Sequence, residues 1–174
     1  HQERPKRWDD EVEKLNQILK ERDIQSAITE IYSPSRVNGV AGKLGLIPGM
    51  SLDLTTTDEN GDPWDFNVKR MRDKAEKLVR SKKALLLIGS PTCTDWSTIM
   101  NLNWHRMDPE EVKRRKAIAH EHSKFCVKLY RIQQANGRHF LHEHPRSASS
   151  WHEETTISLC REAGVYATVA DQCR

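Results

Sequence analysis

The chain has 174 residues, 36% of them hydrophobic and 30% charged, and its 28 Lys and Arg against 25 Asp and Glu give a formal net charge of +3. That length suits one domain that buries about two-thirds of the surface its unfolded form exposes. No apolar run approaches the ~20 residues of a membrane span, and no repeat or low-complexity segment is present, so inserted and fibrous classes are excluded while a nucleic-acid partner is permitted.

The first helix is predicted over Asp10 to Arg22, with Val12, Leu15, Ile18 and Leu19 on one face; residues 1–26 then read as an N-terminal helical extension to a core over 27–174. The start from His1 to Trp8 is basic and polar and lacks the apolar stretch of a signal peptide. A strand follows over Ala27 to Ser33, then a small helix over Val37 to Leu44 that stops at Gly45. Met50 to Leu54 is the second strand, and Thr55 to Asp65 is a loop rich in turn residues. A helix over Val68 to Lys82 leads to Ala84 to Ile88, an apolar run suited to a strand covered on both faces.

Asp108-Pro109-Glu110-Glu111 is a helix start, with a capping Asp and Pro at the first helical position, and that helix runs to Ala135. His139 to Glu143 is the fourth strand, Glu153 to Ala163 a further helix, and Val165 to Ala170 a fifth strand. The chain thus stops at Arg174 just after an expected strand, as though the last strands of a sheet were missing. Alternating strands and helices imply β-α-β units and a mainly parallel sheet, whose ligands bind beyond the carboxyl ends of the strands.

Three constellations fall at such ends. Gly89-Ser90-Pro91-Thr92-Cys93-Thr94-Asp95-Trp96-Ser97 places a cysteine in a loop rather than in a core; Cys126 and Cys160 read instead as fillers of apolar faces. A nucleophilic Cys93 must be partly thiolate, and the alternative is a loop thiol packed under Trp96. Glu143 ends a strand before Pro145, where its carboxyl can hold a proton or hydrogen bond for a ring nitrogen. His142 and His144 share one strand face and, with His152 or His120 and His122, offer an alternative metal site. Asp53 ends the second strand, where an acid can bond ribose hydroxyls, and Asp65 is placed to act at an adenine edge. Four cysteines (Cys93, Cys126, Cys160, Cys173) without a C-x-x-C pair favour a reducing, intracellular compartment.

Together these residues resemble the cytosine-C5 methyltransferases, and more closely the divergent methylase-like domains of phage and transposable-element proteins. The Cys93 to Ser97 spacing, the strand ending at Glu143 and Gln172-Cys173-Arg174 carry the resemblance, with Pro91 one residue further upstream than usual. It implies a Rossmann-like, three-layer α/β sandwich of the class I methyltransferase type. It also implies S-adenosylmethionine as cofactor, no metal, and nucleic acid, DNA before RNA, as partner. Cys93 and Glu143 would be catalytic. Cofactor contacts would fall to Tyr32, Ser33, Pro34 and Ser35, to Asp53 and Asp65, and to Ser90 and Pro91. Substrate contacts would fall to Ser97, Arg36, Arg146, Gln172 and Arg174.

The chain departs from the family in three places. Tyr32-Ser33-Pro34-Ser35 stands where a glycine-rich cofactor loop is usual, His144 replaces an asparagine, and the span from Asp53 to Ala84 is compressed. Two other readings stay open: a degenerate methyltransferase-fold module that binds nucleic acid or protein within a larger polypeptide, and a metal-dependent hydrolase built on His142 and His144.

Overall fold

A computed structural model describes residues 6–171. In chain order the elements are α1 (Lys6–Glu21), β1 (Ser26–Ile31), α2 (Val37–Lys43), β2 (Pro48–Leu52), α3 (Lys69–Lys82), β3 (Ala84–Gly89), α4 (Thr98–Asn103), α5 (Pro109–Ala135), β4 (His139–His142) and α6 (Glu154–Cys160). The strands form one all-parallel sheet in the order β2-β1-β3-β4. The first connection carries the chain from β1 to β2 on one side and the second crosses back to β3 on the other side of β1, so a topological switch lies between β1 and β3, at whose carboxyl ends such sheets bind ligands.

Two compact units divide the chain, one from the chain up to Ser90 with Leu129–Glu143, the other from Pro91–Lys128 with the chain from His144 on. The first holds the sheet. Every residue of β1 is buried, and β3 reads Ala-Leu-Leu-Leu-Ile-Gly, as strands flanked by neighbours and covered on their faces must. Leu19 of α1 is fully buried with Ile24, Ala27, Ile28, Ala41 and Ile88, and Leu15 packs on the same cluster. Gly45 ends α2 at φ 83°, the left-handed conformation that favours glycine.

At the carboxyl end of β3, a Cβ on Gly89 would overlap the hydroxyl of Tyr130, a fully buried side chain of α5 stacked on Phe140 at 4.6 Å. Glycine is required there because the tyrosine lies directly on the strand. Gln133 ties the other end of the strands, its amide donating to Ala84 O and His139 O at 3.0 Å each.

The second unit packs Trp96, Ala119 and Ala148 together, with Trp151 against them. Asp108 caps α5, its carboxylate accepting from the Glu110 and Glu111 amides at 2.9 and 3.1 Å.

The fifth strand expected over Val165 to Ala170 does not form: the segment has no regular secondary structure, Tyr166 is 92% exposed and Val169 65%. Strand propensity is weak without a face to bury, and Ala167, Thr168 and Ala170 bring little apolar surface to bury. Cys126 is buried as a filler, but Cys160 is exposed. Among the described residues no helix is long and apolar enough to cross a membrane.

Candidate functional site

The turn after β1 is organised by a residue that patterning passed over. Glu30, 1% exposed, lies in the otherwise apolar and small strand, and its carboxylate accepts four hydrogen bonds. Two come from the amides that open α2, Val37 at 3.1 Å and Asn38 at 2.8 Å; two come from the Ser33 and Ser51 hydroxyls at 3.3 Å each. A carboxylate there satisfies orphan amides of a helix start. Asn38 completes the arrangement, donating to Met50 O and accepting from the Gly49 amide.

The residues expected to hold a cofactor surround this carboxylate. Ser33 is buried and turned toward it, Pro34 accepts from Ser33, Ser35 and Arg36 are exposed, and Tyr32 takes a left-handed backbone (φ 58°) with its ring 4.6 Å from Phe66. A non-glycine residue at that φ is uncommon, and tight packing is what holds such a residue in place.

The loop between β2 and α3 is held from within. Asp58, whose side chain is inaccessible, accepts from the Asn60 and Asp62 amides at 2.9 Å and from Lys74 Nζ at 2.6 Å. The Lys74 ammonium holds the Asp58 carboxyl at about 2, and it also lies 5.6 Å over the Trp64 ring. Trp64 and Phe66 are buried. Asp53 and Asp65 each give one oxygen to a local turn, Asp53 accepting from the Thr55 amide and hydroxyl, Asp65 from the Asn67 amide and side chain.

At the far side of the switch, β3 and β4 end side by side. Gly89 pairs with His142, and the Glu143 amide donates to Gly89 O at 3.0 Å. The Ser90 amide donates back to Ile31 O at 3.2 Å, so the start of the cysteine loop is tied to the end of β1. Tyr130 Oη lies 2.9 Å from His142 Nδ1, an unforeseen, partly buried contact that fixes the ring of the residue before Glu143.

Within the second unit, Cys93 is half-buried and opens a single 3-10 turn, Thr94–Trp96, its carbonyl accepting from the Trp96 amide. Trp96 is buried, edge-on to His120 at 5.2 Å. Ser97 caps α4, its hydroxyl accepting from the Met100 amide at 3.2 Å. Pro91 O receives His144 Nε2 at 3.1 Å, and His144 Nδ1 lies 2.6 Å from the Ser150 hydroxyl. With a carbonyl as its partner, Nε2 is the donor there, and Nδ1 shares a hydrogen bond with the Ser150 hydroxyl. Arg146 is exposed beyond it. Gln172 and Arg174 lie outside the described residues.

The structure thus gathers Tyr32, Ser33 and Pro34 around Glu30, ties Ser90 to the end of β1, sets Glu143 at the end of β3, and joins Pro91 to His144. S-adenosylmethionine fits these residues in part. The acids at the end of β2 and in the following loop keep one carboxylate oxygen clear of their turns, whereas the α2 amides that would meet an anionic group are already engaged by Glu30. Among the described residues no three His, Cys, Asp or Glu side chains are grouped so as to hold a metal ion. Comparison with known protein families, curated proteins and solved structures finds no match to the chain.

Proposed function

We propose that the chain is an S-adenosylmethionine-dependent methyltransferase that modifies C5 of cytosine in nucleic acid, DNA in the first instance, with Cys93 as nucleophile and Glu143 as its acidic partner. One observation carries the reading: the strand that leads into the Cys93 loop and the strand that leads into Glu143 are hydrogen-bonded neighbours in a parallel sheet, with Gly89 opposite His142. Both segments leave the sheet at its carboxyl edge, beside the switch between β1 and β3, where substrates of such folds bind.

The chemistry follows from the two side chains. Cys93 thiolate adds to C6 of the cytosine, forming a C–S bond and pushing the ring electrons toward N3, where the Glu143 carboxyl supplies a hydrogen bond or proton. C5 thereby becomes a carbon nucleophile. S-adenosylmethionine, when bound, supplies the activated methyl group. Water then takes the C5 proton, the C5–H electron pair re-forms the C5–C6 double bond as the C–S bond breaks, N3 returns its proton to Glu143, and Cys93 is a thiolate again. A base in a duplex must first leave the stack at a cost of about a few kcal/mol, which exposed Arg36, Arg106 and Arg146 can offset through phosphate contacts.

A second reading, a methyltransferase-fold module that binds without reacting, is favoured by Glu30, which occupies the α2 amides with the chain's own carboxylate. Bonds at both ring nitrogens of His144 weigh against a metal-hydrolase reading. A calorimetric titration with S-adenosylmethionine separates the first two. Binding that is lost in Asp53→Ala supports the enzyme; no heat at millimolar ligand, with nucleic-acid binding retained, supports the module.

A further inference from the structure

The second unit contains a cleft of about 630 Å³ that neither the cysteine nor the glutamate accounts for, lined by His144, Arg146, Trp151 and residues 167–170. Its chemistry is selective. The Trp151 indole is fixed: Nε1 donates to Pro145 O at 2.8 Å, and the ring packs on the Trp96, Ala119 and Ala148 cluster, edge-on to His144 at 6.4 Å. Arg146 is exposed and has no ion-pair partner among the described residues. The peptide groups of residues 166–170 make no hydrogen bond with any described residue, so this stretch of backbone offers donors and acceptors. A rigid aromatic face, a guanidinium and an unsatisfied peptide edge match one class of ligand: a planar base with hydrogen-bonding edges and an attached phosphate.

We propose that this cleft binds one nucleotide unit, its base on Trp151, its phosphate at Arg146 and its base edge against the backbone of residues 167–170. The failed fifth strand acquires a reason: its backbone is kept out of the sheet and left available for a ligand. Fixed by Pro145 and the cluster beneath it, Trp151 loses little side-chain freedom on binding, as a stacking platform should. The proposal deepens the methyltransferase reading, on which its choice of nucleic acid rests. Its test uses no S-adenosylmethionine and no reaction at cytosine, so the two can fail separately.

The test is fluorescence anisotropy of a labelled 12-nucleotide single-stranded DNA with the whole chain at low salt, competed with unlabelled oligonucleotide, CMP and inorganic phosphate. Arg146→Glu and Thr168→Trp, both at exposed positions, are expected to weaken binding by about tenfold each while leaving the thermal melt in place, and Trp151→Phe by about threefold. Displacement by oligonucleotide but not by equimolar CMP identifies the polymer as the source of the nucleotide. Displacement by both identifies the free unit. No binding by the unmodified chain, binding indifferent to Arg146→Glu and Thr168→Trp, or displacement by phosphate as effective as by CMP would each overturn the proposal.

Discussion

The turn after β1 and the loop after β3 leave the same edge of one parallel sheet, joined by the bond from the Ser90 amide to Ile31 O, yet they use their polar groups differently. The first is closed on itself: four donors converge on the buried Glu30 carboxylate, and Tyr32 is held in a left-handed backbone against Phe66. The second carries a half-buried thiol in a short turn, where the Cys93 carbonyl accepts from the Trp96 amide. A buried carboxylate with four donors inside the fold contributes stability. The contrast assigns structure to the first and leaves the second as the place where the proposed function puts its chemistry.

The largest effect that can break this contrast is on catalysis. Cys93→Ser is expected to lower methyl transfer at least ~10³-fold while the far-ultraviolet circular dichroism and melting temperature stay within error. Glu30→Ala is expected to act the other way round, costing about 3 kcal/mol of stability in urea denaturation, because two α2 amides and two hydroxyls lose their acceptor. A loss of transfer without a loss of stability in that variant would move Glu30 from scaffold to site. Gly89→Ala tests the packing at the end of β3: the new methyl group meets Tyr130, and a cost of about 2 kcal/mol is expected, read as a lower urea midpoint.

The smallest effect is a pH dependence confined to the loop before α3. Lys74 holds the folded Asp58 carboxyl at about 2, below the ordinary carboxylate value of 3.8, so the loop's contribution is full above about pH 4 and is lost as the pH falls toward 2. Trp64 fluorescence should report that loss. In Lys74→Met the change should move to higher pH; an unchanged midpoint would remove the ion pair from the account.

How much of this was legible in the sequence depends on whether a feature is local. The α5 cap at Asp108, the glycine stop at Gly45 and the doubly covered β3 were readable because propensity, capping and apolar runs are short-range signals. Parallel pairing followed from the alternation of elements. Glu30 was missed because a single acid inside Ser26–Ile31 matches no motif, and its four donors come from residues 3 to 21 positions away. Ser97 was read through its distance from Cys93, although a serine before Thr98–Asn103 is also a helix cap, and the structure uses it so. Val165–Ala170 was read as a strand because strand propensity says nothing of whether a partner edge exists.

The assignment of reactivity to the loop after β3 is tested most directly by incubating the chain with S-adenosylmethionine and an oligonucleotide bearing 5-fluorocytosine, then weighing the intact product. Fluorine at C5 cannot leave as a proton does, so a cysteine that has added to C6 stays attached. A species with the combined mass of protein, oligonucleotide and one methyl group, absent in Cys93→Ser, is the predicted result. Unmodified protein alone, or an adduct that persists in Cys93→Ser, contradicts it.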